Sequence, residues 1–207
     1  MIRIAAGFRF LSLACVTLLA SCSSTHALFD GKSLDGWKKA DFAGAAEPSV
    51  EDNCIFLPAG VGLTGIVWAK ELPFGPNFEI SCEARRIEGS DIFCGITFPV
   101  AGSYASLIIG GWGGGVCGIS SLDGHDASEN ETSTFRQFES GRWYKIRLRV
   151  ADGNIQAWID DESILKASTQ GRKVGVRADI KLAQPLGLCS WRTKAALRKV
   201  EWREAKD

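Results

Sequence analysis

Apolar and polar residues alternate in long runs along this chain. Phe78, Ile80, Cys82 and Ala84 alternate with Glu79, Ser81, Glu83 and Arg85, the period-two signature of a strand with one face in a core. Ile92, Cys94, Ile96 and Phe98 form a second stripe. Tyr144, Ile146, Leu148 and Val150 form a third, against Lys145, Arg147 and Arg149. After Asp152-Gly153 the stripe resumes at Ile155, Ala157 and Ile159, against Gln156, Trp158 and Asp160. Two alternating runs around Asp-Gly predict a hairpin. Further strands are expected near 50–57, 63–69, 104–110, 115–121, 132–138, 173–180, 186–192 and 197–203. No long stretch carries a helical period. Residues 195–205 have some helical propensity, yet Val200 and Trp202 read better as part of a closing strand. Many short strands with apolar-in, polar-out patterning predict an all-β fold, a two-sheet antiparallel sandwich.

The first residues follow another pattern. Arg3 and Arg9 precede an apolar run, Phe10 to Ala20, which ends in Leu19-Ala20-Ser21-Cys22. The run is shorter than the roughly 20 residues needed to cross a bilayer. It has the order of a bacterial lipoprotein signal: basic residues, apolar core, small residues, cysteine. The expected organisation is a signal peptide at 1–21, a lipidated tether at 22–27 with Cys22 as the lipidation site, and one β-sandwich domain at 28–207. Acyl chains on Cys22 would hold the domain to a membrane surface, on the periplasmic side or at the outer membrane of a bacterial cell envelope. An ordinary secretory peptide is the alternative.

Composition narrows the partners. The 24 basic and 24 acidic residues balance, which supplies no field for nucleic acid. The 23 glycines and seven tryptophans suit a twisted β protein that binds something ring-shaped. Cys54, Cys82, Cys94, Cys117 and Cys189 contain no CxxC pair, which argues against zinc. Cys82 and Cys94 fall inside the alternating runs, where cysteine acts as a small buried hydrophobe. That reading is preferred here to a disulfide framework.

The opening of the domain, "LFDGKSLDGW" at 28–37, resembles that of the bacterial 3-keto-disaccharide hydrolase family, also described as 3-keto-glucoside 1,2-lyases and 2-hydroxy-glucal hydratases. "NFEISCEARR" (77–86), "GSDIFCGITFP" (89–99), "GRWYKIRLRVADGNIQAWIDDE" (141–162) and "VEWRE" (200–204) agree with it. The resemblance implies a jelly-roll sandwich of the concanavalin-like and laminin-G-like type, with sugar received on a curved sheet face. It also implies action on 3-keto glycosides. Many members carry a mid-domain "G-x-E-x-Q" segment running into aspartates. This chain has "GGWGGGVCGISSLDGHDASENET" at 110–132 instead, so no catalytic residue transfers by motif.

That segment holds the densest chemistry. Asp123, His125, Asp126, Glu129 and Glu131 gather four acids around the one histidine outside the tether. Histidine among carboxylates suits proton transfer near neutral pH, and these five are the expected catalytic residues. The same oxygens could hold calcium, although the order is not that of an EF-hand, and no cofactor is predicted. A solvated turn-rich loop is the bland alternative. Trp112, within Gly110–Gly115, is expected to stack on a pyranose ring. Trp158, Asn130 and Arg147 are expected to contact the same carbohydrate ligand. No G-x-S-x-G elbow and no HExxH is present. The expected function is an envelope lipoprotein acting on carbohydrate as a 3-keto-glycoside hydrolase or lyase. The alternatives are a non-catalytic carbohydrate-binding module and an adhesion domain.

Overall fold

A computed structural model describes residues 24–205, so the signal at 1–21 and Cys22 lie outside the described residues. In chain order the strands are β1 (His26–Ala27), β2 (Trp37–Lys39), β3 (Ser49–Glu51), β4 (Cys54–Leu57), β5 (Leu63–Trp68), β6 (Phe78–Glu88), β7 (Cys94–Val100), β8 (Ser103–Gly111), β9 (Val116–Ser120), β10 (Thr134–Phe135), β11 (Tyr144–Ala151), β12 (Asn154–Ile159), β13 (Glu162–Ser168), β14 (Gly187–Trp191) and β15 (Lys194–Glu204). A single 3-10 turn, Lys181–Ala183, is the only helical element among the described residues. Sheet A has the order β13-β12-β11-β6-β15-β4-β3, with β1 also on β15. Sheet B has the order β10-β9-β8-β7-β14-β5-β2. Pairing is antiparallel in both sheets. The fold is the all-β, two-sheet antiparallel sandwich that the alternation predicts.

The alternating runs set the register. Ile146 sits opposite Cys82 on one side and Ile159 on the other, and Leu148 sits between Ile80 and Ala157. One stripe therefore crosses three strands, and a slip of one residue would turn all of it to water. Asp152 and Gly153 both take positive φ, 49° and 71°, as a tight hairpin turn requires. Phe78, Ile80 and Leu148 from sheet A meet Ile96, Phe98 and Leu107 from sheet B in a core that excludes water completely at these side chains.

Other expectations shift. The 50–57 run folds as a hairpin, β3 and β4, broken at Asp52-Asn53, where φ is 48° and 59°. Within 132–138 only Thr134–Phe135 pairs. The 173–180 run is not a strand; Val174 bridges Leu122 outside the sheets and accepts at its carbonyl from Ser103 Oγ of β8 at 3.0 Å, and the run then enters the 3-10 turn. β13 was not foreseen, because a bulge at Ala157/Trp158 offsets its pairing and Ile164 interrupts its alternation. His26 and Ala27, read as tether, pair with Trp202 and Glu201, and the His26 ring stacks on Trp202 at 4.9 Å.

The outer face of sheet B is largely buried as well, with Thr97 and Ser106 hydrogen-bonded to each other among its apolar residues. Leu63, Val67, Ile108 and Cys189 point away from the main core and form a second cluster with Phe42, Ala127, Ile180 and Ala183. The last four lie outside the strands, so chain segments cover this face. Sheet A instead turns charge outward, in ion pairs such as Glu83 with Arg198 and Lys199.

All five cysteines among the described residues are free thiols and buried. Cys82 and Cys94 meet between the sheets, Sγ to Sγ 4.0 Å. That contact and burial both raise the Cys94 thiol, and burial pushes Cys117 up to about 11 and Cys189 up to about 12. Thiolate is the reactive form. The folded domain is therefore expected to take up no maleimide at neutral pH, and the urea-unfolded domain to take it up at all five positions, as counted by intact mass.

Candidate functional site

A buried arginine shapes the rim of sheet B. Arg86, at the end of the inward stripe of β6, is 6% exposed. Its Nη2 donates to the carbonyls of Gly114 at 2.8 Å, Asp91 at 3.4 Å and Gly110 at 3.5 Å, and its guanidinium lies 5.2 Å from the Phe93 ring centroid. Burial lowers its pKa. Two glycines of the 110–115 run, Gly110 and Gly114, make room for this clamp. A Cβ on Gly110 would stand 2.8 Å from Arg86 Nη2, and one on Gly115 would stand 2.3 Å from the Phe135 ring. Between them Trp112 takes a φ of 48° and stays 40% exposed.

Trp112 forms one wall of a cleft of about 210 Å³ on the outer face of sheet B. Trp191, at the end of β14, forms another. The floor is apolar, from Leu63, Ile92, Ile108 and Ile180, and the polar groups are Asp91, Arg177 and Asp179. The volume is below the roughly 300–1,000 Å³ of drug-sized pockets and suits one small ring. Apolar lining with a few fixed polar groups is the usual make-up of a ligand site.

Arg177 organises the polar side. Its Nε and Nη2 donate to the two carboxylate oxygens of Asp179, both at 3.1 Å. Its Nη1 donates to Asp126 at 3.0 Å, and its guanidinium lies 5.9 Å from the Trp112 ring centroid. Asp179, with Asp126 behind it, holds the Arg177 pKa above its ordinary value. Asp126 also accepts from Ser120 Oγ at 2.9 Å. Asp91 accepts from the backbone N–H of Ile92 at 2.8 Å and of Gly113 at 3.4 Å, so it is tied to the turn that carries Trp112.

The acidic loop packs on itself and on arginines. Leu122 and His125 exchange backbone hydrogen bonds, which leaves His125 exposed. Asp123 accepts from Lys173 N and Arg172 Nε, both at 2.8 Å; the Lys173 N–H first and Arg172 next hold its carboxyl below the usual range. Glu131 pairs with Arg172 as well. Glu129 is exposed. The Asn130 amide donates to the carbonyls of Ile119 at 2.8 Å, Asp126 at 2.8 Å and His125 at 3.1 Å, and its oxygen accepts from Thr132. Both of its polar atoms are thus engaged inside the loop.

The structure joins Trp112 and Asp126 at the cleft, the latter through Arg177. It separates Trp158 and Arg147 from them. Those two stack on each other at 3.8 Å on the outer face of sheet A, where Arg147 also pairs with Glu79 at 3.1 Å. Four cleft residues were not singled out as a set from sequence: Asp91, Arg177, Asp179 and Trp191. Arg177-Ala178-Asp179 lies in the run misread as a strand, and an Arg-x-Asp spacing is too common to signal a site. Among the described residues no three His, Cys, Asp or Glu side chains gather in a way that could hold a metal ion.

Residues 24–204 match the family described as the 3-keto-alpha-glucoside-1,2-lyase-like domain. None of the curated proteins matches the chain by sequence. Among solved structures it is similar to a glycosyl-hydrolase candidate from Parabacteroides distasonis ATCC 8503, with a TM-score of 0.57 at 16% identity over 88% of this chain and 94% of that one. It is also similar to the carbohydrate-binding module CBM66 from Bacillus subtilis, with a TM-score of 0.55 at 11% identity over 82% and 96%. A protein with a galectin-like fold from Bacillus subtilis gives a TM-score of 0.59 at 12% identity over 87% and 94%. At these identities the likeness is one of fold.

Replacing Asn130 with alanine frees three carbonyls and two donors at once. Asn130→Ala is expected to lower stability by about 1–3 kcal/mol, measured by urea unfolding. An asparagine serving only a ligand would leave the midpoint unmoved.

Proposed function

Because the chain belongs to the 3-keto-alpha-glucoside-1,2-lyase-like domain family, a carbohydrate-related family, we propose that it takes a sugar oxidised at C3 into the cleft between Trp112 and Trp191 and cleaves its bond at C1. The observation that carries this reading is the cleft itself: two indole walls, an apolar floor, and Asp91, Arg177 and Asp179 at its edge. Indole faces cover the apolar side of a pyranose ring, while carboxylates and a guanidinium bind its hydroxyls.

The chemistry follows from the ketone. A carbonyl at C3 acidifies the C2–H bond. In this reading Asp91 removes that proton, and Arg177 donates to the C3 oxygen as the enolate forms. The enolate then expels the C1 oxygen, which takes up a proton and departs, leaving a C1–C2 double bond. Water adds across that bond, its oxygen to C1 and a proton to C2, so the net change is hydrolysis. A fixed cation at the oxygen where charge develops lowers the barrier more than one free in water would. Asp126, held by Ser120, keeps Arg177 in place. His125 and Glu129 are exposed on the loop and do not line the cleft, so the leaving oxygen takes its proton from water. Asp123 and Glu131 brace the loop through Arg172.

A binding module without catalysis is favoured by one feature: Asp126 and Asp179 both already accept from Arg177, and Asp91 from backbone N–H groups. Turnover separates the two readings. Asp91→Asn and Arg177→Lys are each expected to lower kcat on 3-keto disaccharides about 100-fold or more, and Trp112→Ala to act mainly on KM. Wild-type rates in both polar variants would remove the cleft from the chemistry, and binding without product would leave the module.

We propose that Cys22 is lipidated and holds the protein at the bacterial cell envelope. The full chain expressed in a bacterium is expected to incorporate labelled palmitate and to sediment with membranes, and Cys22→Ser to lose both.

A further inference from the structure

Beside the cleft lies a second hollow, of about 320 Å³. The two share Leu63, Asp179 and Trp191 as a common wall. Beyond that wall the second hollow is lined by Phe42 from the segment after β2 and by Leu182 from the 3-10 turn. Leu182 is 53% exposed, so its side chain is open to a group that enters the hollow. Asp179 is the only charged side chain in the lining, and both its carboxylate oxygens already accept from Arg177.

We propose that this hollow receives the group leaving from C1 and selects an apolar ring there over a second sugar. The inference rests on the reading of the first cleft as the site of the 3-keto sugar. With the sugar between Trp112 and Trp191, its C1 substituent crosses the shared wall at Trp191 and Asp179 and enters the space bounded by Phe42 and Leu182. A second sugar ring would bring several hydroxyls into that space. Each would give up water, and one engaged carboxylate cannot repay them all. A hydrocarbon ring there covers Phe42, Leu63, Leu182 and Trp191 and loses no hydrogen bond.

The test compares 3-keto glucosides carrying cyclohexyl or glucosyl at C1. Cyclohexanol is the poorer leaving group of the two, so a preference for it comes from binding. The wild-type chain is expected to show a KM about ten-fold lower for the cyclohexyl compound, or the same ratio in Kd by calorimetry if it binds without turnover. Leu182→Asn, at a half-exposed position that leaves the core intact, is expected to shrink the ratio to about three-fold or less, with an unchanged melting temperature as the check on folding. Equal values, or a preference for the glucosyl compound, would overturn the inference and leave the first cleft standing. A preference that survives Leu182→Asn would move it away from this hollow. No binding and no turnover of either compound would overturn both readings together.

Discussion

Sheet B is buried on both faces. In β8 the residues from Ala105 to Gly111 are buried without a break, Leu107 and Ile109 toward the main core and Ile108 toward the second cluster. A sheet covered on both sides needs something to cover it, and here non-strand chain does so: the segment around Phe42, the loop around Ala127, and the stretch from Arg177 to Ala183. Backbone laid on an apolar face must still satisfy its polar groups. Ala40 N donates to Gly65 O, Ser121 N and Gly175 N each donate to the other's carbonyl, and Asn130 closes the loop. The candidate site is the place where this cover stops short. Leu63, Ile92, Ile108 and Ile180, which elsewhere would meet more protein, floor the cleft instead.

Two buried charges are handled in opposite ways. Glu79 on β6 is nearly inaccessible and is held between Arg147 and Arg203, an ion cluster on the face of sheet A. Arg86, seven residues along the same strand, meets carbonyl oxygens rather than a carboxylate at hydrogen-bonding distance. Carbonyl dipoles compensate a buried cation less fully than an anion does. In return the guanidinium fixes three points of the chain around the 110–115 turn, and Trp112 inherits its position from them. Gly110 and Gly114, which leave room for that guanidinium, belong to the support of the indole.

The fold was more legible in the sequence than the site was. Strands buried on one face, such as β6, β11 and β12, announce themselves by alternation, and the positive φ values at Asp152 and Gly153 follow from their residue types. The segments that lie flat on sheet B do not. Val174 and Ile180 suggest a strand by composition, yet their burial comes from lying across a sheet rather than joining it. The opening "LFDGKSLDGW" was legible as a motif, and its residues have local jobs. Asp30 accepts from the N–H groups of Lys32 and Ser33, Gly36 leaves room for the Trp68 ring, and Trp37 Nε1 donates to Leu28 O. The concentration of charge at 123–131 was visible too. Sequence could not show that Arg172 and Arg177, some fifty residues later, take up three of its carboxylates. Nor could it show that Trp158 and Trp112 lie on different sheets, since alternation fixes a side chain's face within its own sheet and says nothing of which sheet that is.

The pairing of His26 and Ala27 with β15 has a consequence for how the molecule is presented. The first described residues join the fold in the plane of sheet A, and the two hollows open across the far side of sheet B. The chain therefore enters the domain from the side away from both hollows. A support coupled ahead of Ser24 would face the charged exterior of sheet A and leave the trough open to solutes arriving by diffusion.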